Sequence, residues 1–307
     1  MATANEQLEA LLNSMGDPLA DKSQNVTGII YGDNGGGKTI TAIKLAKAIL
    51  EANRRTPEDY VLFIDAVNAW RSLKNHPELH GGIIRAPYEG KSQLDILNVA
   101  LDAVAAGGKN PLLEKFKRIR VVILDEASSM TDQDGDVVLA AGAAKDDDKD
   151  PDILTQPDMG KTTERMRRTI TKLLKQDISV IMVCHQRQDE DKAVGYKVTR
   201  PRFMPKFSGT VREGLDFVAH MSAAPEHKEG SIGYARKLQC NPTKTVVAKT
   251  RVGGLGLYVT PDVFVPTVVK WMKGEGASNE TFEVVNDVPA DSTVVKSDND
   301  FSDFVIS

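Results

Sequence analysis

Along the chain, short apolar runs alternate with longer stretches in which apolar residues recur at helical spacing. Five runs predict buried strands: Val26 to Tyr31, Tyr60 to Asp65, Arg120 to Leu124, Ser179 to Cys184 and Thr245 to Lys249. Weaker ones cover Gly82 to Arg85 and Phe217 to Met221. Between them, Thr39 to Asn53, Ser92 to Ala106 and Lys161 to Lys175 predict helices. A strand covered on both faces has no polar side to alternate with. The pattern therefore predicts an α/β fold, a mainly parallel twisted sheet with helices on both faces.

Two regions break the rhythm. Thr131 to Pro157 is rich in Asp, Gly and Ala and holds Asp146 to Asp148, so a mobile insertion is expected over 131–157. From Gly274 to Ser307 there are eight acidic residues against one lysine, with no helical period, which predicts a disordered acidic tail over 274–307. Residues 1–25 are expected as an N-terminal helical extension, leaving 26–273 as the core. No internal repeat is present.

At 307 residues, 41% apolar and 27% charged, the composition is that of a soluble globular chain. A formal net charge of −4 means that any basic surface must be local. Met1 to Gly16 carries Glu6 and Glu9 and lacks the basic and apolar regions of a secretory signal. No run approaches the ~18 apolar residues of a membrane span. A cytoplasmic location and no membrane partner are expected. The cysteines, Cys184 and Cys240, lack further ligands at metal spacing and are expected as buried thiols in a reducing compartment.

The candidate chemistry starts where the first strand ends. Gly32, Gly37, Lys38 and Thr39 match the phosphate-binding pattern G-x-x-x-x-G-K-[ST], directly after a strand and before a helix. In such a loop, backbone N–H groups and the helix N-terminus surround phosphate oxygens, a lysine reaches the β and γ phosphates, and a hydroxyl ligates Mg²⁺. Gly32, Asp33, Asn34, Gly35, Gly36, Gly37, Lys38, Thr39 and Ile40 are thus expected to bind ATP, with Thr39 on the metal. The run Val121 to Leu124 ends in Asp125-Glu126. Two acids closing an apolar strand are costly without a cation, so Asp125 is expected on Mg²⁺ and Glu126 as the base that polarises the attacking water. His185 and Gln186, closing the next strand, are placed to sense the γ-phosphate.

The order of these features resembles the RecA-like core of P-loop ATPases. More narrowly, it is similar to the phage-encoded RecA-like ATPases of the Sak group, single-strand annealing proteins. The segments that carry the likeness are the phosphate loop, Leu62 to Asp65, Leu124-Asp125-Glu126, Asp158 to Arg168, Cys184-His185 and Ala248 to Gly254. One departure stands out: RecA-class recombinases place a glutamate two residues after the second-strand aspartate, and here that position is Val67. Glu126 is the remaining carboxylate for the role.

The resemblance implies further assignments. Lys249 and Arg251 are similar in placement to cations that one subunit projects into its neighbour's nucleotide, which implies a homo-oligomer, ring or filament, with shared sites. The stretch Arg187 to Arg212 carries Arg187, Lys192, Lys197, Arg200, Arg202, Lys206 and Arg212, interleaved with Tyr196, Phe203 and Phe207. It corresponds to the loop that lines the DNA channel, implying that Arg187, Lys197, Arg200, Arg202 and Lys206 contact single-stranded DNA. The acidic tail either solubilises the chain or recruits a single-strand-binding or replication protein. The expected function is a DNA-stimulated ATPase of phage recombination. The alternatives are a ring-forming motor, helicase or packaging type, and a nucleotide-switched replication scaffold.

Overall fold

The computed structural model describes residues 25–145, 150, 152–191, 195–202, 214–228 and 231–275. The N-terminal extension expected over residues 1–25, except Asn25, and the acidic tail from 276 onward lie outside these residues.

In chain order the elements are β1 (Thr27–Gly32), α1 (Lys38–Asn53), β2 (Tyr60–Asp65), β3 (Ile83–Pro87), α2 (Lys91–Ala105), β4 (Ile119–Asp125) and α3 (Ala127–Ala143). They continue with α4 (Gln156–Leu174), β5 (Ser179–Asp191), β6 (Tyr196–Pro201), β7 (Phe217–Lys228), β8 (Ser231–Gln239), β9 (Lys249–Thr250), β10 (Tyr258–Val259) and α5 (Pro261–Met272). The main sheet runs β10-β8-β7-β1-β5-β4-β2-β3, with β6 added to β5 and β9 to β7. From β3 to β7 every pairing is parallel; β8, β9 and β10 add antiparallel edges. This is a mixed α/β core with a mainly parallel sheet and helices on both faces.

The strands lack polar alternation because both of their faces are covered. Successive side chains point to opposite sides of a sheet. Ile30, Val121, Ile123, Ile181 and Val183 face α1 and α5, where Phe217 packs edge-on against Phe264 with centroids 5.2 Å apart. Ile29, Val122, Leu124, Val180 and Met182 face the other way, onto Leu97, Met130, Met166 and Ile170.

Three expectations need correction. Residues 131–143 are not an insertion: they continue α3, with Val138 and Leu139 buried. Alanine, glycine and a buried Asp134 do the packing there, so no apolar period marks the helix; a Cβ on Gly135 would stand 3.3 Å from Leu154. Residues 156–157, placed in the same insertion, begin α4. Pro157 is its second residue, in the first turn where no N–H partner is needed, and Thr155 and Asp158 form a reciprocal capping box. Thr245 to Lys249 is no full strand: Val246 makes one isolated bridge to Thr199, and β9 holds only Lys249 and Thr250.

Candidate nucleotide site

The phosphate loop joins the carboxyl end of β1 to the amino end of α1. Gly35 and Gly37 take φ of 75° and 91°, left-handed values that glycine adopts without a Cβ clash. The backbone can then turn its N–H groups inward. Lys38 is buried at the start of α1, and its Nζ donates to the Asp33 carbonyl at 2.8 Å. Burial lowers its pKa, against the nearby Glu126 and Asp125 carboxylates.

Strand order sets what faces this loop. β5 lies between β1 and β4, with Gly32 level with His185 and Asp125 level with Val183. The ends of three adjacent strands therefore converge on one side of the loop. Asp125 is only 1% exposed, and its Oδ2 has no hydrogen-bond partner among the described residues. Burial pushes this carboxyl up to about 7, and Glu126 and Asp65 add to that effect, while the Thr39 hydroxyl bonded to it and the Lys38 ammonium pull the other way. A buried carboxylate oxygen without a donor, beside a threonine hydroxyl, fits a hard divalent cation such as Mg²⁺. Thr39 and Asp125 are the residues that would hold it.

Glu126 is 3% exposed and held on three sides. The His185 backbone N–H donates to its Oε1, His185 Nε2 stands 2.9 Å from its Oε2, and the Ser129 hydroxyl donates to Oε2 at 3.1 Å. Gln186 makes a second bridge. Its Nε2 donates to Asp33 Oδ1 at 2.7 Å, which leaves its Oε1 to accept from His220 Nε2, also at 2.7 Å. The His220 ring lies 4.9 Å from Tyr31 on β1. His220 and Ser129 are residues that sequence reasoning missed; neither stands in a motif, and only the pairing of β7 with β1 and the first turn of α3 bring them here.

The second strand supplies no base. Val67 is 48% exposed, and Asp65 is occupied by the Ala69 N–H at 2.7 Å and the Arg85 guanidinium at 2.8 Å. With Asp125 suited to the metal, Glu126 is the strand-end carboxylate that faces the loop for the role of base.

Other expected residues lie elsewhere. Lys249 and Arg251 flank the start of β7, where Lys249 pairs with Val218 and the Arg251 N–H donates to the Asp216 carbonyl at 2.7 Å. That is the end of β1 opposite the phosphate loop, since Gly28 pairs with Phe217 and Gly32 with Met221. The chain does not bring them to its own nucleotide site. The described part of the expected DNA loop is a β-ribbon: β5 runs on to Asp191 and β6 returns along it, with Arg187 opposite Arg200 and Glu190 opposite Lys197. Arg187 and Arg200 both ion-pair with Asp189, at 3.0 and 3.1 Å, and Arg202 pairs with Asp132 of α3. Lys206 lies outside the described residues. Cys184 and Cys240 are free, buried thiols whose pKa values burial raises.

A family model described as an AAA domain, AAA_24, matches residues 24–252 of this chain. The chain belongs to that family. The match spans β1 to β9 and contains the whole constellation from Gly32 to Gln186. As an AAA-type ATPase domain it binds and hydrolyses nucleotide. The arrangement suits the loop and Lys38 to phosphate, Asp125 and Thr39 to a metal, and the buried Glu126 to accepting a proton from water. Comparison with curated proteins finds no match. No described helix of the AAA domain is long and apolar enough to cross a membrane.

Proposed function

We propose that this AAA domain is a Mg²⁺-dependent ATPase of the phage RecA-like Sak group, which binds single-stranded DNA and promotes annealing or pairing in recombination. One observation carries the reading. A single strand, β5, holds His185 and Gln186 at the nucleotide and continues without a break into a ribbon bearing Arg187, Lys197, Arg200 and Arg202. A shift of His185 or Gln186 on loss of the γ-phosphate has a direct mechanical route to these cations. Arginines and lysines on a two-stranded ribbon, with Tyr196 beside them, suit a phosphate backbone with stacked bases. Arg187 and Arg200 ion-pair with Asp189, and Arg202 with Asp132, and DNA phosphates would compete with those carboxylates.

The chain acts as a homo-oligomer in this reading, with Lys249 and Arg251 entering a neighbour's site. Their location at the far end of β1 supports that view, because a cation there can reach a phosphate loop only in another subunit. The acidic tail engages a single-strand-binding or replication protein.

The test is ATPase rate with and without single-stranded DNA across protein concentration, with imaging of the complexes. DNA stimulation that rises with protein concentration is expected. Arg200→Ala, Arg202→Ala and Lys206→Ala combined should weaken DNA binding and flatten its salt dependence. Unchanged binding overturns the DNA assignment, and an unstimulated, concentration-independent rate points to a monomeric switch.

A further inference from the structure

The wall of the phosphate loop on the side away from β4 and β5 is built by the antiparallel pair β7 and β8. Its backbone is pressed onto the loop: a Cβ on Gly32 would stand 2.0 Å from the Met221 carbonyl oxygen. Five positions further along the loop the same wall meets Gly37. A Cβ there would stand 2.7 Å from Nε and 3.0 Å from Cδ of Arg236, and 3.4 Å from the Met221 methyl.

Arg236 lies on β8 opposite Ala223, a residue too small to block its way to the loop. Among the described residues its guanidinium has no carboxylate and no hydrogen-bond acceptor. Asp33, the acid of the loop, is engaged on the other flank by Gln186. Thus Arg236 does not balance a protein charge. A guanidinium set against a glycine whose neighbours cradle phosphate, with five donors and no acceptor of its own, matches a phosphate oxygen.

We propose that Arg236 is a nucleotide-binding residue supplied in cis, pairing with the phosphate chain where it crosses Gly37. The proposal rests on the nucleotide-site reading above. It divides the cations by origin: Lys38 and Arg236 come from the subunit that holds the nucleotide, Lys249 and Arg251 from its neighbour. The backbone amides of this loop type cradle the α and β phosphates. The contact is therefore made equally to ATP and ADP.

The experiment is equilibrium binding of fluorescent ATP and ADP analogues, with Mg²⁺, to the full chain. The variants are Arg236→Met, which keeps the length and removes the charge, and Arg236→Lys. Wild-type binding comes first: its absence would sink the nucleotide reading itself rather than the role of Arg236. Arg236→Met is expected to weaken ATP and ADP alike by about 10-fold or more, the range of a charge-assisted hydrogen bond, and Arg236→Lys by less. Wild-type affinity in Arg236→Met would show that the side chain only fills space. Mixing Arg236→Met with Lys38→Ala protein separates the origins: no recovery of ATPase is expected for a cis contact, and recovery overturns it. Both variants alter an exposed residue, and their thermal melting should match wild type; a shared loss of melting temperature and affinity would assign Arg236 to stability instead.

Discussion

Glu126 and His185 meet at the ends of adjacent strands, with His185 Nε2 2.9 Å from Glu126 Oε2 and the His185 N–H bonded to Oε1. The contact joins the carboxylate suited to activate water to the strand that leads into the ribbon. Gln186 adds a bond from the next position of that strand to Asp33 of the phosphate loop. Two successive residues of β5 thus touch the two halves of the site.

Glu126→Gln keeps the shape of the side chain and removes its basicity. ATP turnover is expected to fall by about 100-fold or more while ATP affinity stays within about 3-fold of wild type, in the range of a lost general base. His185→Ala removes the imidazole contact to Oε2 and leaves the carboxylate with the backbone N–H and the Ser129 hydroxyl, so kcat should fall by about 10-fold with little change in nucleotide affinity. Single-turnover hydrolysis beside equilibrium binding measures both. Turnover at the wild-type rate in Glu126→Gln removes this residue from the mechanism.

The buried Oδ2 of Asp125 lacks a donor among the described residues, so a cation should account for its placement. Wild-type affinity for ATP is expected to depend strongly on Mg²⁺, measured by titration with Mg²⁺ and again with a chelator. In Asp125→Asn and Thr39→Ala that dependence should be largely lost. Identical Mg²⁺ dependence in wild type and both variants would place the metal elsewhere.

Away from the site, Asp59 offers a clean acid-stability test. Burial alone would raise its pKa, but the N–H groups of Arg55 and Thr56, the Arg120 guanidinium and the Thr56 hydroxyl outweigh it and hold the carboxyl down at about 2, against 3.8 unperturbed. A depressed folded pKa gives stability that is complete above the unfolded value and fades as pH falls through the folded one. The window therefore lies between about pH 4 and pH 2, and the group is worth about 2 kcal/mol. Asp59→Asn should melt lower than wild type at pH 7, with the gap closing as the pH drops through that window. A gap that persists undiminished at pH 2 would contradict the ion pair as its source.

Lys249 and Arg251 stand at the end of β1 remote from their own phosphate loop. If they act on a neighbour, Arg251→Ala and Lys38→Ala proteins are each nearly inactive alone, and mixing them should restore part of the ATPase activity. The restored site pairs an intact loop from the first with an intact Arg251 from the second. No recovery in a mixture shown to co-assemble would argue against the trans role.

The nucleotide site was legible because its parts are contiguous. A strand, a glycine turn and a helix start occupy Val26 to Asn53, and Asp125-Glu126 close an apolar run. Each signal sits within a few residues, so local pattern suffices. The central strands were legible for the same reason: burial on both faces leaves unbroken apolar runs. What escaped was structure whose reason lies at a distance. The later part of α3 has no apolar stripe because Gly135 and Asp134 pack against Leu154 and Arg165 of other segments. The ribbon β5–β6 reads as a charged loop, and only its cross-strand register turns Arg187 and Arg200 into partners of one aspartate.

By itself, then, the chain's order of residues determined an α/β sheet, a glycine-rich turn of the phosphate-binding pattern and two acids closing an apolar strand, since backbone dihedral needs and local burial impose those residue types at fixed spacing. The tertiary structure alone decided which residues surround that loop. β5 had to be inserted between β1 and β4 for His185 to clasp Glu126, and β7 had to flank β1 for His220 and Arg236 to reach Gln186 and Gly37. Those contacts join residues tens to hundreds of positions apart, and strand order, which no local period encodes, is what brings them within hydrogen-bond range.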